Sequence, residues 1–189
     1  MPEIRDIELY IKKNLSEKRF MHSRRTAETA EKLCMLYGSD TEKGRIAGLL
    51  HDAAREKSTE EVYSLVKKDG LPISKIENDY PVLLHGRAGA VIAYEELGIN
   101  DEEILDAIRW HTTGRRGMNG MTSIIYAADY IEPGRMHIDN EFRMKIRELN
   151  LNQLVMEVVK SSIAYCRMKG YSVAEQTFML YHDLEKKVS

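Results

Sequence analysis

Apolar residues recur along this chain at steps of three and four, the spacing that lines one side of an α-helix. Ile4, Ile7 and Ile11 open it with a short amphipathic stretch. Ala27, Ala30, Leu33, Cys34 and Tyr37 continue the pattern, and Gly38 ends it, as glycine commonly does just past a helix. Asp40 or Thr41 is placed to cap the next helix, which carries Ile46, Leu49, Leu50 and Ala53. Thr59, Glu60 and Glu61 open another, with Val62, Leu65 and Val66 on its apolar side. Gly70, Pro72 and residues 78–81 mark loops. A helix is predicted over about residues 81–97, stopped by Gly98; Asp101 caps one bearing Ile104, Leu105 and Ile108. Residues 113–120, with three glycines and two arginines, read as a loop.

Residues 121–131 are apolar enough for either strand or helix, and their helical surroundings favour helix. Leu151, Leu154, Val155 and Val158 begin a long helix that runs to about Gly170. Val173, Thr177, Leu180, Tyr181, Leu184 and Val188 fit a last one. No stretch alternates in the manner of strands. The expected fold is all-α: one helical bundle over residues 1–189, with no linker composition or internal repeat to divide it.

Composition narrows the function without naming it. The chain has 189 residues, 43% hydrophobic and 31% charged, a globular balance. Its net charge of −2 supplies no basic field for nucleic acid or an anionic membrane. No apolar run is long enough to span a bilayer or serve as a secretory leader, so the expected location is the cytoplasm. Cys34 and Cys166 are remote from one another, each inside a helical pattern; both read as buried small hydrophobes in a reducing compartment.

Candidate chemistry centres on His51 and Asp52, adjacent at the end of an apolar helix in AGLLHDAAR. Imidazole nitrogen and carboxylate oxygen are good ligands for zinc, iron, manganese and similar ions. Neighbours on a helix point about 100° apart, so the pair can share an ion only close against the helix, unless the aspartate bridges two ions. Further donors lie in apolar helical contexts: His22 in RFMHSRRTAETA, His85 in LLHGRAGA, His111 in IRWHTTGR and Asp129 in YAADYIEP. An unpaired carboxylate in such a segment would be costly. His137 and His182 lack that context and read as structural.

In this order the motifs resemble the HD phosphohydrolases, and most closely the YqeK group of bacterial HD proteins. The matching stretches are HSRRTAETAEKLCMLYGSD, KGRIAGLLHDAAR, LLHGRAGA, HTTGR and ADYIEPGR, spanning about residues 20–135. Two positions depart from the group: Arg55 stands where lysine is usual, and His182 where asparagine is usual. The resemblance implies an HD-type bundle, with helices of residues 151–188 packing on the motif-bearing part. It implies an enzyme that splits diadenosine tetraphosphate symmetrically into two ADP. His22, His51, Asp52 and Asp129 would hold one metal, and Asp52 would bridge to a second held by His85 and His111. The group is associated with a di-iron centre; manganese, cobalt and zinc suit the same donors.

A shared hydroxide made nucleophilic by the metals is the expected mechanism, with Asp52, His85 and His111 as catalytic candidates. Substrate contacts are expected from His22, Arg25, Arg87, His111, Thr113, Arg115 and Arg135. Guanidinium groups bind phosphate in a fixed fork. Arg25 follows His22 by three residues on one helix face, and the resemblance points to Arg25 and Arg135 as phosphate contacts. Thr112 and Thr113 could bind phosphate or cap a turn. Trp110 is expected in the core. The same ligand set would serve a nucleotidase, a deoxynucleoside triphosphohydrolase or a cyclic-nucleotide phosphodiesterase. It would also serve a non-catalytic nucleotide sensor. A homodimer is the assembly this reading admits.

Overall fold

The computed structural model describes residues 2–136 and 138–188. They form helices and connecting turns, with no strand among the described residues. Helix α1 (Ile4–Asn14) buries Ile7 and Ile11. Helix α2 (Glu17–Tyr37) starts at the Ser16 cap and ends on Gly38, whose φ of 70° is the left-handed conformation anticipated there. Asp40, not Thr41, caps α3 (Thr41–Leu50), accepting from the backbone N–H groups of Glu42 and Lys43. Ser58 and Glu61 cap α4 (Thr59–Val66) reciprocally.

The expected helix over residues 81–97 is divided. A five-residue helix α5 (Lys75–Asp79) and a 3-10 turn (Pro81–Leu84) precede α6 (His85–Glu95). Proline at the start of the turn separates it from α5, since its ring disfavours helix in the residue before it. Helix α7 (Glu102–Trp110) is capped by Asp101 and α8 (Gly120–Ile131) by Asn119. A short α9 (Asn140–Lys145) and a 3-10 turn (Ile146–Glu148), neither of them predicted, lead to α10 (Leu151–Lys169) and α11 (Glu175–Val188).

The ambiguous apolar segment is thus helix α8, and it is central. It packs against α2, α3, α7 and α10, with Ile124, Ile125, Ala127 and Ala128 fully buried. Being enclosed on nearly all sides, it has no polar stripe to reveal its period. Two crossings bring chemistry together. At Gly48 of α3 a Cβ would lie 2.6 Å from the Ala27 Cα of α2. At Gly86 of α6 a Cβ would lie 2.8 Å from the Arg109 carbonyl oxygen and 3.0 Å from that of Ile108 in α7. Only glycine lets these helices approach so closely.

Cys34 is buried against α3, whereas Cys166 is only partly covered, contrary to expectation. Trp110 is also partly exposed at the end of α7, with the Arg115 guanidinium 5.6 Å from its ring centre. His182 stands exposed on α11 beside Glu185. His137 lies outside the described residues.

Candidate metal centre

Six side chains remote in sequence converge at the inner ends of α2, α3, α6, α7 and α8. His22 comes from the second turn of α2, and Asp129 from the last turn of α8. His51 and His111 are the residues immediately after α3 and α7, and His85 is the first of α6. Asp52 lies in the turn after His51. That turn is tied back to α2 by Glu56, which accepts from both the backbone N–H and the hydroxyl of Ser16. All four histidines and Asp52 are buried.

Asp52 sits between two groups of donors. Its Oδ2 lies 3.6 Å from His22 Nε2 and 3.5 Å from His51 Nε2. Its Oδ1 lies 3.1 Å from His85 Nε2 and 3.9 Å from His111 Nε2. Asp129 Oδ1 completes the first group, 3.0 Å from His22 Nε2 and 3.7 Å from His51 Nε2. Ligand atoms of His22, His51 and Asp129 all lie within 4.8 Å of one another, as do those of His51, Asp52 and His111.

The outward nitrogens fix the rings. Nδ1 of His51 contacts the Gly48 carbonyl oxygen at 2.7 Å, that of His85 the Val82 oxygen at 2.5 Å, and that of His111 the Ile108 oxygen at 2.8 Å. A carbonyl oxygen only accepts, so each Nδ1–H donates and Nε2 is the nitrogen that turns inward. His22 is held the same way by a carboxylate, with Nδ1 3.1 Å from Glu132 Oε1. The inward nitrogens are close: 3.2 Å for His22 and His51, 3.0 Å for His85 and His111. Lone pairs at such separations repel unless a proton or cation lies between them. Four imidazole nitrogens facing two carboxylates therefore fit bound cations, and oriented Nδ1 partners are the usual companions of metal-ligating histidines.

Titration behaviour follows burial and the charges that face each group. Burial opposes a proton on His51, but Asp52 and Asp129 outweigh it and raise its pKa. Burial likewise opposes ionisation of Asp52, yet His51 and His85 hold it well below the usual carboxylate range. His111, buried beside His85 and His51, is pushed down to about 3. Burial opposes ionisation of Glu132 too, yet His22, Arg25 and the Gly134 N–H hold it at about 2.

The arginines divide sharply. Arg25 donates Nε–H to Glu132 at 2.6 Å, so it stands behind His22. Arg135 pairs with Asp129 Oδ1 and donates to the Asp129 carbonyl at 2.9 Å, at the edge of the cluster. Arg115 donates to Asp106 at 2.7 Å, over Trp110. Arg87 does not face the cluster. Its Nε bonds Asp69, one terminal nitrogen bonds Pro72 O and Glu77, and the other bonds Asp69 and Leu71 O. All five of its N–H donors are thus engaged by protein, which leaves none for phosphate. The expected contact by Arg87 is replaced by a structural one, anchoring the loop between α4 and α5.

Thr113 is also turned aside, its hydroxyl donating to Gly114 O and its carbonyl accepting from Thr177. Thr112 faces the centre instead, with Oγ1 3.4 Å from His85 Nε2 and 3.3 Å from His111 Nε2. Two residues passed over in the sequence belong here. Arg19 donates to Asp52 Oδ2 at 2.7 Å, and Glu132 orients His22. Arg19 precedes His22 by three residues, the helical spacing that singled out Arg25.

An HD domain model matches residues 19–157, and the chain belongs to that family. Within the family, its similarity to particular enzymes runs along most of its length. It is 35% identical over 172 residues to the symmetrical bis(5'-nucleosyl)-tetraphosphatase of Bacillus subtilis (strain 168), covering 91% of this chain and 92% of that protein. To the enzyme of the same name from Staphylococcus aureus it is 38% identical over 168 residues, 88% of this chain and 86% of the other. A crystal structure of a predicted HD superfamily hydrolase involved in NAD metabolism, from Clostridium acetobutylicum, matches with a TM-score of 0.91. That protein is 36% identical, with 99% of both chains covered.

Proposed function

We propose that this protein is a metal-dependent hydrolase that splits diadenosine tetraphosphate into two ADP, acting in the cytoplasm. The observation that carries the reading is Asp52, whose two oxygens face two separate donor groups. The names of the relatives supply the substrate. Among the described residues, no helix is long and apolar enough to cross a membrane.

In the reaction, a water oxygen bonds to one of the two central phosphorus atoms. The bond from that phosphorus to the bridging oxygen breaks, the bridging oxygen leaves with the second ADP, and a proton is released. Two metal ions held by His22, His51, Asp52, Asp129, His85 and His111 would acidify water and neutralise phosphoryl charge. Iron is the expected pair, by likeness to the group. The protein's own contribution is a rigid frame: buried rings locked at Nδ1, and Asp52 held in place by Arg19. Arg135, at the edge of the cluster, is the phosphate contact of this reading, Arg25 acts through Glu132 behind His22, and the Thr112 hydroxyl adds a donor beside His85 and His111.

The test is product analysis by the purified, metal-loaded protein in 18O-labelled water. ADP as the sole nucleotide product, one label per two ADP, and loss of turnover on chelation are the expected results. ATP with AMP, a nucleoside with polyphosphate, or binding without turnover would each overturn the proposal. Elemental analysis identifies the metal, and light scattering tests for a homodimer.

A further inference from the structure

The carbonyl that orients His85 is supported differently from those that orient His51 and His111. Gly48 and Ile108 belong to helices of ten and nine residues. Val82 belongs to a 3-10 turn of four residues and is 45% exposed. Buried Leu84 pins the downstream end of that turn. Upstream, the turn hangs from α5: the Leu83 N–H bonds the Tyr80 carbonyl at 3.0 Å, and the Tyr80 N–H bonds that of Ile76 at 2.8 Å. The five residues of α5 are too few to hold a helix in water on their own. Glu77 ties them down. One of its oxygens accepts from the Ser74 N–H and hydroxyl, both at 2.7 Å, and the other from Arg87 at 3.1 Å. Arg87, only 3% exposed, also grips Asp69 through a two-point fork and takes up the carbonyls of Leu71 and Pro72.

We propose that Arg87 is a positioning residue for the second metal ion, acting through Glu77, α5 and the 3-10 turn on Val82, and so on the His85 ring. This rests on the two-ion reading above. The path is continuous: guanidinium to Glu77, the helix of Glu77 to Tyr80, Tyr80 to Leu83, and the Val82 carbonyl to His85 Nδ1 at 2.5 Å. Arg87 is rooted in α6, two residues after His85. One helix therefore carries both the ligand and the post to which its orienting turn is tied, and a shift of the turn against α6 rotates the ring relative to Asp52. A planar guanidinium with five donors meets acceptors from four residues at once, whereas an ammonium has three donors and no fork. Groups that orient a metal-ligating imidazole govern metal affinity, and here the orienting carbonyl is itself held at one remove. The first ion stands outside this path, since Glu132 and Gly48 orient His22 and His51.

Manganese titration by calorimetry tests this without requiring turnover. Wild type is expected to bind two ions, and His111→Ala identifies the second by weakening it. Arg87→Lys keeps a charge between the buried carboxylates, which protects the fold, but loses the fork. It should weaken that same ion about tenfold and leave the first unchanged. Glu77→Ala should do likewise, and Glu77→Gln, which keeps a carbonyl oxygen for Arg87, should lose less. Ile7→Ala, a cavity under α1, is the control for stability alone: its Tm should fall while both affinities hold. Proton NMR of the zinc-loaded protein supplies a second readout. In Arg87→Lys the His85 Nδ1–H should exchange with water faster, and those of His51 and His111 at the wild-type rate. Equal weakening of both ions, or unaltered affinities, in Arg87→Lys and Glu77→Ala alike would overturn the assignment, as would unchanged exchange at His85. The two readings fail separately. Fewer than two ions in wild type counts against the two-ion centre itself, whereas two ions that neither variant distinguishes count against Arg87 alone.

Discussion

The two halves of the metal centre are built on different principles. The first, His22, His51 and Asp129, draws on three helices, α2, α3 and α8. It has a carboxylate of its own in addition to the shared Asp52, and Glu132 stands behind His22. The second, His85 and His111, is supplied from α6 and the end of α7, and the outward nitrogen of each ring meets a backbone carbonyl. Charge therefore dominates one half and backbone geometry the other. Coulomb attraction for a cation grows with each carboxylate, so the first half should hold its ion more tightly. The second, with fewer protein donors, leaves more of an ion's coordination sphere to substrate.

Substitutions can break this comparison. Asp52→Ala removes the group common to both halves, and turnover should fall on the order of a thousandfold, with fewer than two ions retained on elemental analysis. Near-normal turnover would refute the shared role. Glu132→Gln acts on the first half alone. Manganese titration should show one of two affinities weakened about 10- to 100-fold, with the other unchanged. Equal weakening of both would mean that the halves are not separable. Gly86→Ala should sharpen the contrast most gently. Its methyl would press on the Ile108 carbonyl that orients His111. A loss of about 1–3 kcal/mol in denaturant unfolding is expected from such overpacking, with a few-fold weakening confined to the second ion.

Most of the helices were legible because their apolar periods and caps agree, as at Asp40 and Asp101, and the six clustered donors because each lies in an otherwise apolar context. The aim of the arginines was less legible, and helical geometry explains why. Residues three apart lie on nearly the same side of a helix, so Arg19 and Arg25 both fall near His22. Residues two apart differ by about 200°, so Arg87 faces away from His85 although it is closer in sequence. Its partners Asp69 and Glu77 are contributed by a loop and a five-residue helix with no periodicity to read. Glu132 was hidden for another reason. It follows the end of α8, where direction depends on the turn, and its partners His22 and Arg25 lie more than a hundred residues earlier. The choice between Thr112 and Thr113 likewise rested on the loop's backbone path.

Three of the four imidazoles take their orientation from a carbonyl three positions upstream in their own short segment: Gly48 for His51, Val82 for His85 and Ile108 for His111. For His51 and His111 that carbonyl lies in the final turn of α3 and α7, where it lacks an intrahelical partner in any case, so the ring uses an acceptor that the helix does not need. Each such tetrapeptide is consequently a self-aligning module. Carried to the end of a helix in an unrelated bundle, it would bring its ring direction with it, and only the distance between modules would remain for a designer to set.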